Sequence, residues 1–167
     1  SEGKNLVRLM AEWISREISR LRSRRRAEEN EKRLRQVIDN LPQLVFAKDR
    51  SGKFLLANEA VANAYGTTVN ELEGSTDEMF ADSKEEVEKF RRDDLNVIES
   101  GESKVFPEES LTTADGEKRI LETTKIPYQP VNSDSKAVLG VSHDITEKKE
   151  RAKRLEEKNR RLDEFNS

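Results

Sequence analysis

Residues 137–146 read Ala137-Val138-Leu139-Gly140-Val141-Ser142-His143-Asp144-Ile145-Thr146, and a charged run from Glu147 to Glu164 follows at once. The apolar part has the length and composition of a β-strand, and the charged part has the residue types of a solvated helix. Little loop lies between them, so strain in a sheet would pass directly into the helix. That is the layout of a relay.

Asp144 followed three residues later by Glu147 reads as a helix start of capping-box type, with Thr146 as a competing cap. The helix should run to about Phe165. The pairs Glu150/Arg154, Glu156/Arg160 and Glu157/Arg161 each add only ~0.3–0.5 kcal/mol. Leu155, Leu162 and Phe165 are too few to stabilise this helix alone, so packing against a second copy would complete it.

Upstream, Leu44–Lys48 and Phe54–Ala57 flank Asp49-Arg50-Ser51-Gly52, a tight-turn sequence, and read as a first hairpin. Asn58 can cap a short helix Glu59–Tyr65 that Gly66 stops, and a second short helix is expected around Val69–Leu72. Val87, Phe90, Val97 and Ile98 recur at helical spacing across Lys84–Ser100, with Gly101 as the stop. Three strand candidates follow, 104–112, 119–128 and 137–142, and Asp115-Gly116 favours a two-residue turn between the first two. This order predicts an α+β fold, a five-stranded antiparallel sheet with its helices gathered on one face.

Before the sheet, Val7, Ala11, Ile14, Ile18 and Leu21 alternate by four and three, the seam of a helix with coiled-coil character. From Arg22 to Arg33 the only apolar residue is Ala27, and Leu34, Ile38 and Leu41 resume in another frame, so a break is expected near Arg24–Glu29. Asn40-Leu41-Pro42 should end the helical region. The expected organisation is a connecting or dimerisation helix over 1–33, a globular domain over 34–146, and a second charged helix over 147–167.

Composition narrows the function. Hydrophobic residues make up 33% of the chain and charged residues 39%, but the charges crowd into the two helical ends, which leaves a normal globular middle. The net charge of −3 comes from interleaved acids and bases, which argues against nucleic acid and anionic lipid as partners. Arg22–Arg26 reads as a solvated helix face because Glu28, Glu29 and Glu31 follow it. Cysteine is absent, which excludes disulfides, thiolate metal sites and cysteine nucleophiles and suits the cytoplasm. No apolar run approaches the ~18 residues of a membrane span, so direct insertion is not expected.

Asp49 and Gly52, Asn58 and Ala60, Gly66, Glu71-Leu72-x-Gly74, Asp94 and Gly101, Glu108-Glu109, Asp115-Gly116, Arg119, Gly140 and Asp144-Ile145-Thr146-Glu147, taken in this order, resemble the PAS sensor family. The resemblance covers roughly Leu34–Lys149. It implies that Asp144, Ile145 and Thr146 act as the signal relay, fixing the angle between sheet and output helix; Asp144 as an ordinary helix cap is compatible with this. Arg8–Ile14 also resembles the closing helix of a GAF domain, with a simple amphipathic dimer helix as the alternative. Leu162-Asp163-Glu164-Phe165 looks like the lead-in to the phosphoacceptor helix of sensor histidine kinases.

In PAS relatives a small apolar cavity between sheet and helices holds the ligand. Candidates for its lining are Phe46, Val61, Tyr65, Met79, Phe80, Phe90, Val97, Phe106, Leu121 and Val141, with plain core packing as the alternative for each. Without cysteine there is no flavin adduct and no cysteine-linked chromophore. Haem is disfavoured because Lys84–Ser100 has no histidine, and His143, the only one, is expected to be structural or on the surface. No catalytic site or metal-ligand set is discernible, so the fragment is read as a non-enzymatic sensory module of a two-component histidine kinase. Its partners would be a second copy, a small apolar ligand, a kinase core and a response regulator. The same module in a diguanylate cyclase or a chemotaxis-type transducer, or a ligand-free scaffold, are the alternatives.

Overall fold

Buried Asn58 sets the first corner of the sheet. Its Oδ1 accepts the backbone N–H of Val45 at 3.0 Å and that of Val61 at 3.3 Å, and its Nδ2 donates to the Gln43 carbonyl at 2.9 Å. One side chain thus caps a helix and pins the strand before it. The computed structural model describes residues 2–167. The order is α1 (Glu2–Asp39), β1 (Leu44–Lys48), β2 (Phe54–Ala57), α2 (Glu59–Tyr65), α3 (Val69–Leu72), a 3-10 turn (Asp77–Met79), α4 (Lys84–Ser100), β3 (Lys104–Thr112), β4 (Lys118–Tyr128), β5 (Ala137–Asp144) and α5 (Thr146–Phe165).

The strands form one antiparallel sheet in the order β2-β1-β5-β4-β3. Against one face pack Val61, Ala62 and Tyr65 of α2, Leu72 of α3 and Phe90 of α4, meeting Phe46, Phe54, Leu111 and Leu121 from the strands. Val97 and Ile98 of α4 form a smaller cluster with Val138, and Phe106 packs on it. This is the α+β arrangement expected from the element order.

The chain divides after Asp39 into two units. In the first, α1 is one unbroken helix of 38 residues, so the break expected near Arg24–Glu29 is absent. The apolar seam does lapse there, but Arg, Glu and Ala are strong helix formers. Arg24–Glu28 at 3.2 Å and Arg25–Glu29 at 3.1 Å span the gap as four-residue pairs.

Two further expectations are corrected. The β3–β4 connection is longer than a two-residue turn: Thr113 N–H donates to Glu117 O, Gly116 N–H donates to Thr113 O, and Gly116 has φ +80°. That is a three-residue loop whose glycine takes the left-handed position. At the start of α5 no capping box forms. Asp144 Oδ1 accepts the Thr146 N–H at 2.9 Å, while Glu147 lies 3.9 Å from Arg151.

Candidate functional site

In a pleated sheet, alternate residues share a face. Phe46 pairs with Gly140 and Lys48 with Val138, so the side chain of Lys48 joins Phe46 on the helix-covered face. Leu121, Thr123 and Lys125 of β4 point the same way and are all buried. In β3 the register against β4 shifts between Phe106 and Glu109, so that Glu109 and Leu111 are buried and Glu108 is left outside, paired with Lys149 of α5. Pro107 lies inside this bulge, where a residue without an N–H costs no ladder bond.

The consequence is a line of alternating charges inside the domain. Tyr65 donates its hydroxyl to Asp77 at 2.6 Å. Lys48 Nζ reaches Asp77 at 2.5 Å and Asp94 at 3.4 Å. Lys125 Nζ lies 2.8 Å from Asp94 Oδ1 and 3.4 Å from Glu109 Oε2. Thr123 donates to Glu109 Oε1 at 3.0 Å, and the Ser142 hydroxyl is 2.8 Å from Thr123. Both ammonium groups also sit over ring faces: Lys48 is 5.0 Å from the Phe46 centroid and 4.9 Å from that of Phe54, and Lys125 is 5.1 Å from that of Phe106.

Electrostatics hold Lys48 charged and Tyr65 neutral. Burial alone would pull the Lys48 pKa down, but the charges of Asp77 and Asp94 and their hydrogen bonds outweigh it and raise it above the ordinary lysine value. Burial first, and Asp77 second, push the Tyr65 hydroxyl well above its usual value, so it remains a proton donor. Asp94 Oδ1 and Glu109 Oε2 have no aligned hydrogen-bond donor among the described residues, although both lie near Lys125. Their contact with it is electrostatic rather than a directed bond.

These groups surround a cavity of about 30 Å³, room for a water-sized occupant. Of the residues expected to line a pocket, Phe46, Val61, Tyr65, Phe90 and Leu121 do so. Phe80 stacks beside Tyr65, with ring centroids 6.3 Å apart, and is not among the lining residues. Val97 and Phe106 belong to the smaller cluster. Met79 is 71% exposed on the 3-10 turn, and Val141 is 40% exposed because its parity on β5 turns it to the other face. The lining also includes Lys48, Asp77, Glu109 and Lys125, four charged side chains set into a surround that is otherwise mostly apolar. Lys125 is in phase with Leu121 along β4, the one signal in the sequence that points to it.

The β5–α5 junction is tied back to β4. Arg119 Nε donates to Asp144 at 2.7 Å, Thr146 Oγ1 accepts the Ile120 N–H at 2.9 Å, and the Ile145 N–H donates to the Ile120 carbonyl at 2.9 Å. The Thr146 hydroxyl in turn donates to Asp144 Oδ1 at 2.6 Å. Partial burial would raise the Asp144 pKa, but the Thr146 hydroxyl and N–H and the Arg119 guanidinium together hold it below the ordinary carboxylate range. Ile145 and Thr146 are buried.

Comparison with known proteins gives this geometry a context. The methanogenesis regulatory histidine kinase FilI of Methanothrix harundinacea is 29% identical over 133 residues, which is 80% of this chain and 15% of that protein. The virulence sensor protein BvgS of Bordetella pertussis is 26% identical over 163 residues, 95% of this chain and 13% of BvgS. A diguanylate cyclase of Vibrio cholerae is 30% identical over 112 residues, 66% of this chain and 35% of that protein. The chain therefore spans a small part of these relatives.

Among solved structures, the PAS domain from Bordetella pertussis BvgS aligns with TM-score 0.57 and 23% identity over 79% of this chain and 98% of that one. VqmA bound to DPO aligns with TM-score 0.58 and 22% identity over 65% of this chain and 55% of that one. Both likenesses concern the fold. No helix among the described residues is long and apolar enough to cross a membrane. Residues 38–150 match the family model described as PAS fold, and with the five-stranded sheet and its helix-covered face this chain belongs to the PAS family of sensory domains.

Proposed function

We propose that this chain is the sensing and relay module of a sensor histidine kinase. A change in the occupant or packing of the charged cavity, or in a neighbouring domain, tilts β4 and β5, and the junction at Asp144, Ile145 and Thr146 carries the tilt into α5. The observation that supports this most directly is the pair of bonds holding the end of β5 and the start of α5 to β4, Asp144 on Arg119 and Thr146 Oγ1 on the Ile120 N–H. Similarity to the histidine kinase FilI supports a kinase as the output.

Two copies would work together. Trp13, Ile14, Ile18 and Leu21 on α1, and Leu155, Leu162 and Phe165 on α5, are exposed. Helices with such stripes find partners most readily in a symmetric second copy.

Placing residues 1–167 in the histidine kinase FilI, in exchange for the segment they match, tests the reading. The chimaera should autophosphorylate, and Thr146→Ala should shift its basal level at least about threefold while leaving the circular dichroism of the isolated module unchanged. A kinase level indifferent to Thr146→Ala, Asp144→Asn and the double variant sinks the relay. The similarity to a diguanylate cyclase favours a second reading, the same input module driving cyclic dinucleotide synthesis, and an equivalent exchange into that enzyme distinguishes the two.

A further inference from the structure

The buried line of charges is unbalanced. Two lysines, Lys48 and Lys125, face three carboxylates, Asp77, Asp94 and Glu109, and all five are buried. The sequence of groups runs hydroxyl, acid, amine, acid, amine, acid, hydroxyl, so a carboxyl group stands outermost among the acids and amines at each end, and acids outnumber amines by one. At the Asp77 end the carboxylate accepts from both Tyr65 and Lys48. At the Glu109 end Oε2 has no aligned donor, although Glu109 is 3% exposed and lines the cavity. Lys125 Nζ, 3.4 Å away, compensates this oxygen in part but is shared with Asp94 at 2.8 Å, so a further donor would be favourable there.

The cavity states what it prefers. It already receives two primary ammonium groups, each set between carboxylates and over aromatic faces: Lys48 among Phe46, Phe54 and Phe90, Lys125 among Phe90 and Phe106. The remaining space, about 30 Å³, matches one or two heavy atoms. Ser142 lines the same space and has lone pairs available to accept a bond.

We propose that this cavity is a binding site for a small primary ammonium ion, ammonium or methylammonium in size, that donates to Glu109 and neutralises the line of charges. The proposal rests on the reading of the domain as a sensor and names the ligand class that its cavity takes. An apolar ligand would leave Glu109 Oε2 with Lys125 as its sole nearby cation among the described residues, shared with Asp94, and an anion would add to the excess charge. A cation without N–H groups supplies no donor, and a bulky one does not fit.

The test is nuclear magnetic resonance of the 167-residue protein with 15N-ammonium chloride. A bound ammonium resonance separate from bulk is expected, with cross-peaks to the rings of Phe46 and Phe90. Methylammonium should displace it, whereas potassium and tetramethylammonium at the same ionic strength should not. Glu109→Gln removes the charge and keeps the shape, and should weaken binding about tenfold or more, the loss of one charge-assisted bond. Glu122→Gln, on the opposite face, should leave it unchanged.

Competition in the unaltered protein stands independently of whether the Glu109 variant folds. No bound resonance, displacement by potassium, or a Glu109 carboxyl carbon shift showing a proton held there in place of the amine overturns the proposal. Asp144→Asn breaks the junction and not the cavity, so ammonium binding should persist in it. A failed ammonium site and a failed relay are thereby told apart.

Discussion

Lys48 shows how far a single side chain can depart from its usual habit. Lysine is seldom fully buried unless paired, and here the ammonium is enclosed by Asp77, Asp94 and three phenylalanine rings. Such groups contribute little net stability compared with an apolar core, but removing one partner strands the others. Lys48→Met should therefore destabilise the domain by about 3–5 kcal/mol in urea unfolding. Adding Asp77→Asn should recover part of that loss, because the carboxylate left unpaired is then neutral. If the double variant is no more stable than the single one, the pair is not the source of the cost. In the sequence Lys48 closes a short strand before a polar turn, which reads as surface, and nothing local distinguishes it from Lys53. Glu109 is hidden for another reason. A strict period of two from Phe106 would turn Glu108 inward, and only the bulge reverses the parity.

Among the elements, those with local causes were the legible ones. Strand–turn–strand at Leu44–Ala57, the Asn58 cap, the run of α4 to Gly101 and the exit of β5 into α5 all follow from turn chemistry and periodicity within a dozen residues. The 3-10 turn at Asp77–Met79 was not legible, and it delivers Asp77 to Lys48 from 29 residues away, a contact no local pattern encodes. At the β5–α5 junction, Thr146→Val keeps the shape and removes the hydroxyl. The Ile120 N–H loses its acceptor, at a cost of about 1–2 kcal/mol. Amides in the first turn of α5 should then exchange with deuterium about tenfold faster. The Asp144 pKa is depressed, so its contribution is fully present above the unfolded value, roughly 4, and is lost as pH falls through the lower folded value. Protection of that turn should be flat near neutrality and decline only in acid. In Asp144→Asn the acid decline should disappear.

For the molecule as a whole, composition foretold two charged helices around a globular middle, and the family resemblance supplied the function expected of that middle. What neither supplied was the interior chemistry, because burial of an ion is decided by the register of strands that meet from distant parts of the chain. The second copy proposed above would be met at the other end of the sequence. The N-terminal half of α1 exposes Leu6, Val7, Leu9, Met10, Trp13, Ile14, Ile18 and Leu21, far more than a lone helix keeps in water. Light scattering should find a dimer at micromolar concentration. Ile14→Glu with Ile18→Glu should yield a monomer with reduced helix content but an intact sheet signal. A dimer that survives both changes would place the contact elsewhere.

Gly140 adds a mechanical rule. Its Cα faces the Phe46 ring so closely that a β-carbon there would lie 2.2 Å from the ring edge. The inward positions two residues to either side on β5 are Val138 and Ser142, and each would drive a side chain into that ring. The bare glycine therefore works as a detent: β5 cannot creep lengthwise past β1, so the relay proposed above would have to be written as inclination, not as travel.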